Sequence, residues 1–147
     1  MENKLNQLKT ILNEVADLGA ASALLGWDQQ TYMPSGAAEG RGNQLATLGQ
    51  IAHIKFTSDE VGRLLDELEP QAGQLDPDSD DARLIKVTRR EYDKNTKVPA
   101  EWVAEFARVT TMAQQVWQEA RAENDFAKFQ PYLEKIVELR RQYAENF

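Results

Sequence analysis

Apolar residues recur three, four and seven positions apart along almost the whole chain, the spacing of one face of a helix. Leu5, Leu8, Leu12, Val15, Leu18 and Leu25 form the first such stripe. It predicts a long first helix running past Gly26 to about Tyr32. Trp27 to Tyr32 holds no breaker, and Pro34 supplies a hard stop. Ser35 and Gly36 make a turn, and a second helix carries Leu45, Leu48, Ile51 and Ile54 on one face. Thr57-Ser58-Asp59-Glu60 fits a capping box opening a third helix with Val61, Leu64, Leu65 and Leu68 inward. Pro70 to Asp81 reads as a polar loop, with Asp78 or Ser79 capping a fourth helix that carries Ala82, Ile85, Thr88 and Tyr92. Val98-Pro99 marks the next boundary. A fifth helix follows with Trp102, Phe106, Val109, Ala113, Val116 and Trp117, interrupted at Asn124-Asp125. Phe126 and Phe129 fall in a predicted connector, and Pro131 starts a sixth helix with Ile136, Val137, Leu139 and Tyr143. No stretch alternates as a strand does. The expected fold is all-α, about six helices packed as an antiparallel bundle or array.

Composition narrows the function. The 147 residues suit one domain, 1–147, large enough for an apolar core without staples. The net charge of −7 disfavours nucleic acid and anionic lipid as partners. The absence of cysteine removes disulfides, thiolate metal sites and a thiol nucleophile, and suits a cytoplasmic protein. No run of about 18 apolar residues exists to span a membrane. Glu145-Asn146-Phe147 ends the chain without a clear cap while the helical pattern still runs, so a cut inside a longer polypeptide is expected; the alternative is that Asn146 ends the helix and Phe147 tucks back against it.

Few residues offer chemistry. His53 is the single imidazole, and a zinc site normally needs three or four ligands drawn from His, Cys and carboxylates. His53 therefore reads as a helix-face residue. Asp76, Asp78 and Asp80 match the first alternating positions of a calcium loop. However, the turn glycine is replaced by Asp81 and the bidentate glutamate by Val87. The carboxylate pairs Asp59-Glu60, Asp66-Glu67 and Glu119 with Glu123 lie on predicted outer faces or in caps. Trp27, Asp28, Tyr32 and Met33 are different, because periodicity does not demand them. A structural reading buries the Trp27 ring and pairs Asp28 with a backbone donor or with Arg41. A functional reading makes this corner part of a cleft wall.

The run Gly26-Trp27-Asp28-Gln29-Gln30-Thr31-Tyr32-Met33-Pro34 is a fingerprint, extended by Gly36-Ala37-Ala38-Glu39, Arg41 and Gln44-Leu45-Ala46-Thr47-Leu48. With Val98-Pro99 and the segment from Phe129 to Leu139, it resembles the amino-terminal region of the carboxypeptidase Taq family of metallocarboxypeptidases. The resemblance implies a part of a mostly helical His-Glu-x-x-His peptidase that removes carboxyl-terminal amino acids from peptides with broad preference. Its zinc or cobalt is held by two motif histidines and a later glutamate, while the motif glutamate acts as general base. None of these residues has a counterpart here, so no catalytic or metal-binding residue is assigned and no cofactor is expected in this chain alone. The amino-terminal helices of such enzymes form a wall or lid of the substrate channel. The resemblance makes Trp27, Asp28, Tyr32, Met33 and Arg41 candidates for groove-facing or interdomain positions. The implied partners are the catalytic domain of the same protein and peptide substrates, with a homodimer as another way to cover exposed apolar surface. The rival expectation is a free-standing binding or dimerisation module presenting Trp102, Phe106 and Trp117.

Overall fold

The computed structural model describes residues 1–147 and contains six α-helices: α1 (Glu2–Thr31), α2 (Ala38–Phe56), α3 (Asp59–Ala72), α4 (Asp80–Asn95), α5 (Ala100–Glu123) and α6 (Phe126–Ala144). A single 3-10 turn, Ser35–Ala37, joins α1 to α2. By their main contacts the helices lie side by side in the order α6, α5, α2, α1, α3, α4. The cross-links show antiparallel neighbours: Arg41 meets Asp28 while Lys55 meets Glu14, and His53 meets Val98 while Asn43 meets Arg108. The result is an open array whose two ends, α4 and α6, each have one principal neighbour.

α1 runs through Gly26 as its stripe predicts. Its end is set by Asp28, whose carbonyl accepts from both Tyr32 N (3.0 Å) and Met33 N (2.9 Å). Pro34 then holds the backbone extended at φ −61°, ψ 143°.

The apolar core is concentrated in one half of the array. Leu5 and Leu8 of α1, Val61, Leu64, Leu65 and Leu68 of α3, and Ile85 of α4 form one buried cluster. In the other half the buried side chains of α2 and α5 are small, Ala38, Gly42 and Ala46 on α2 and Ala104, Thr111, Ala113 and Ala120 on α5, and Leu139 of α6 is the large buried one. This corrects the expected inward face of α2. Ile51 and Ile54 are about half exposed, and the buried stripe is Ala38-Gly42-Ala46. Small residues let two backbones approach: a Cβ at Gly42 would lie 3.4 Å from the Arg108 carbonyl oxygen, and one at Gly49 would lie 3.6 Å from Val103 Cγ1. A size-blind apolar pattern misses such a seam.

Three boundaries also differ. Ser58, not Thr57, caps α3 by accepting from Val61 N, so the Thr57–Glu60 box does not form. Pro70 lies inside the last turn of α3, where it forfeits one helical hydrogen bond instead of ending the helix. α6 begins at Phe126, so Phe126 and Phe129 are helical and Pro131 is internal. The cause is Asn124, which adopts the left-handed conformation at φ 54°. Asp125 N then bonds to Ala120 O at 2.8 Å, closing α5 and reversing the chain within two residues. At α4 the expected cap is found, with Ser79 accepting from Ala82 N.

The aromatic stripe of α5 is mostly spent inside the fold. Trp102 stacks on Phe106 at 4.8 Å and donates to Leu139 O at 2.9 Å, and the Arg140 guanidinium covers Phe106 at 4.3 Å. Trp117 alone of the rival trio stays substantially exposed.

Only 18 of 147 residues are buried, and the accessible surface is 9106 Å². A compact monomer of this mass exposes about 7,600 Å², so the array carries roughly 1,500 Å² of excess surface.

One packing contact leaves no slack. A Cβ at Gly62 would lie 2.5 Å from the Tyr92 hydroxyl, which donates to Ser58 O at 3.3 Å. Gly62→Ala is expected to lower stability by about 1 kcal/mol, the clash outweighing the better helix propensity of alanine. Urea unfolding checks this. The loss shrinks in a Tyr92→Phe background if the hydroxyl is its cause.

Candidate functional site

The joint between α1 and α2 is built around Arg41. Its Nη2 pairs with Asp28 Oδ2 at 2.6 Å, its Nη1 donates to the Leu25 carbonyl, and its Nε donates to Gln44 Oε1 at 3.1 Å. The Arg41 side chain is 12% exposed and that of Asp28 is 35% exposed. The last turn of α1 contains Asp28 and no basic residue, an arrangement that the helix dipole disfavours. Arg41 supplies the missing positive charge from the neighbouring helix. All three guanidinium nitrogens are engaged, so Arg41 acts as a clamp and not as a free anion receptor.

The clamp holds an exposed aromatic corner. Trp27 is 55% and Tyr32 77% exposed, with ring centroids 5.7 Å apart and planes tilted by 58°. The structural reading that buries the Trp27 ring is thus corrected: Trp27 faces outward because Leu25 and Asp28 occupy the side turned to α2. Met33 is half-buried where the chain leaves the helix. Two supports escape the sequence reading. Gln29 Nε2 donates to Thr111 O at 3.1 Å, tying the end of α1 to α5. Gln44 steadies Arg41; its position three residues on, on the same helix face, was the available signal. Nothing local marks Gln29.

The remaining candidates are structural. His53 Nε2 lies 2.7 Å from the Val98 carbonyl oxygen, linking the end of α2 to the start of α5. Asp76 Oδ1 accepts from Asp78 N at 2.9 Å, and Asp78 pairs with Arg83 at 2.6 Å. Asp66 pairs with Arg89 at 2.5 Å and Glu67 with Lys4 at 2.8 Å; Asp59 and Glu60 sit in the first turn of α3. Burial opposes the Arg89 charge, but the Asp66 hydrogen bond and the charges of Glu69, Asp66 and Asp93 outweigh it and raise its pKa. Arg89 Nε faces Glu69 Oε2 at 3.1 Å, yet off its N–H direction, so that buried atom has no hydrogen bond. Glu123 and Glu119 raise the pKa of Lys128, chiefly through the Glu123 hydrogen bond.

The sequence signature of the carboxypeptidase Taq (M32) metallopeptidases matches residues 7–147. The chain belongs to that family. It is 33% identical over 132 residues to thermostable carboxypeptidase 1 of Thermus thermophilus, covering 90% of this chain and 26% of that protein. To carboxypeptidase 1 of Bacillus subtilis it is 29% identical over 133 residues, again covering 90% of this chain and 26% of the relative. Among solved structures, that of BsuCP superposes with a TM-score of 0.92 at 26% identity, covering 98% of this chain and 29% of that one. The M32 carboxypeptidase from Deinococcus radiodurans R1 gives a TM-score of 0.72 at 40% identity, covering 99% and 29%. The chain therefore spans about a quarter of the length of the curated relatives it matches.

A metallopeptidase family implies a metal, and the residues present do not fit one. No three His, Asp or Glu side chains converge to hold an ion, and the one imidazole is taken by Val98. No helix is long and apolar enough to cross a membrane.

Proposed function

We propose that residues 1–147 form the amino-terminal helical unit of a cytoplasmic, metal-dependent carboxypeptidase, serving as a wall or lid of its substrate channel. The complete enzyme removes carboxyl-terminal residues from peptides with broad preference. Its zinc or cobalt and its general base come from polypeptide outside these helices, so this chain alone is inactive. The observation that carries the reading is the aromatic corner: two large rings stand in solvent on a rigid, ion-paired joint, inside the most family-specific stretch of sequence. Aromatic faces accept many side chains without selecting one, as broad preference requires. The free-standing module has less support, because Trp102 and Phe106 are packed against α6.

The test substitutes Trp27→Ala and Tyr32→Ala in a longer polypeptide that carries this segment and the catalytic part. Each ring is worth about 0.5–1.5 kcal/mol of contact, so KM for peptides is expected to rise about two- to twelvefold with kcat and metal content little changed. An unaltered KM in both variants removes the corner from the channel.

A further inference from the structure

Exposed apolar surface includes the Trp27–Tyr32 corner, Ile51 with Ile54 on α2, and the outer face of α6. The α6 face differs in pattern and in setting. Phe126, Leu133 and Val137 are 62%, 38% and 42% exposed and lie seven and four residues apart, the spacing of a seam that receives another helix. Trp117 of α5 continues the patch across a cavity of about 290 Å³ that it lines with Ala120, Phe126 and Phe129. Gln130, Glu134 and Arg141 border the stripe, so its flanks are polar and its centre is not. α6 spans 19 residues yet fully buries only Leu139, because α5 is its one principal neighbour.

From this geometry we infer that the outer face of α6, with Trp117, is the seat of a helix from the remaining polypeptide of the same enzyme. The inference rests on the reading that these residues belong to a larger peptidase. The observations choose that occupant. In the relatives about three quarters of the chain lies outside the matched segment. The array also carries roughly 1,500 Å² more surface than a compact monomer of its mass, the scale of a large intramolecular or obligate interface. The large buried side chains are gathered at α1, α3 and α4, so the half containing α6 is the one short of a second layer.

The absence of cysteine from this segment permits a direct test. Val137→Cys and Leu133→Cys are placed singly in the 147-residue chain and in the longer polypeptide, with Gln74→Cys in the α3–α4 loop as control. Maleimide labelling is followed by the mass of the peptide carrying each site. In the longer polypeptide labelling at 133 and 137 is expected to slow by at least about tenfold while the control keeps its rate. Equal rates at 133 and 137 in both polypeptides overturn the inference, as does equal slowing at all three sites. Protection already present in the 147-residue chain and rising with its concentration also overturns it, assigning the face to a second copy. Labelling does not depend on turnover or on metal, so an inactive longer polypeptide with protected sites would reject the proposed function and keep the docking face.

Discussion

Leu65→Ala is expected to lower the unfolding free energy by about 2–5 kcal/mol, the cost of a fully buried leucine and the cavity it leaves. Leu65 is 0% exposed and sits among Leu5, Leu8, Val61, Leu64, Leu68 and Ile85, which together join α1, α3 and α4. With few fully buried residues elsewhere, no second cluster of large side chains can take up the loss. Domains of ordinary size are stable by only about 5–15 kcal/mol, so this one methyl-rich side chain carries a large share. Ile51→Ala, on the exposed side of α2, serves as the contrast and is expected to stay within about 0.5 kcal/mol of the parent. Urea denaturation at constant slope measures both. Equal losses at the two positions would mean that the core does not lie where the cluster puts it.

Arg41→Ala is expected to cost about 1–3 kcal/mol, chiefly because Asp28 and the Leu25 carbonyl lose a partner in a partly buried joint. Asp28 would then stand uncompensated in the last turn of α1. Arg41→Lys recovers only part of this, since an ammonium cannot span Asp28, Leu25 and Gln44 with a planar fork. A double-mutant cycle isolates the pair: the loss from Arg41→Ala should shrink in an Asp28→Asn background. Faster amide exchange confined to residues 24–34 would show that the clamp orders the aromatic corner. If Arg41→Ala leaves both stability and exchange unchanged, the joint is not what holds Trp27 and Tyr32 in place.

Much of this was legible in the sequence, for identifiable reasons. Long, regular stripes such as Leu5-Leu8-Leu12 and Val61-Leu64-Leu65-Leu68 fix helices and their inward faces, because large apolar side chains gain most by burial. Pro34 and Ser79 are local signals whose effect needs no tertiary context. The α2 face is not legible in the sequence because its packing relies on Ala38, Gly42 and Ala46, which carry little hydrophobic signal but allow α5 to approach. Pro70 marks the start of a loop in the sequence and Pro131 the start of a helix, yet both lie inside helices, each at the cost of one backbone bond that its neighbours can bear. At the candidate site, the sequence offers the pairing of Arg41 with Asp28 as one alternative. It does not show the exposure of Trp27, since which way a ring points at a helix end depends on the neighbouring helix.

If, as proposed, these helices only wall a channel, they hold no hydrolytic metal of their own. Equilibrium dialysis of the 147-residue chain against zinc and cobalt tests this, followed by incubation of the loaded chain with peptides and analysis of their carboxyl ends. No stoichiometric metal uptake and no released amino acid are expected. One metal bound per chain together with stepwise loss of carboxyl-terminal residues would contradict it.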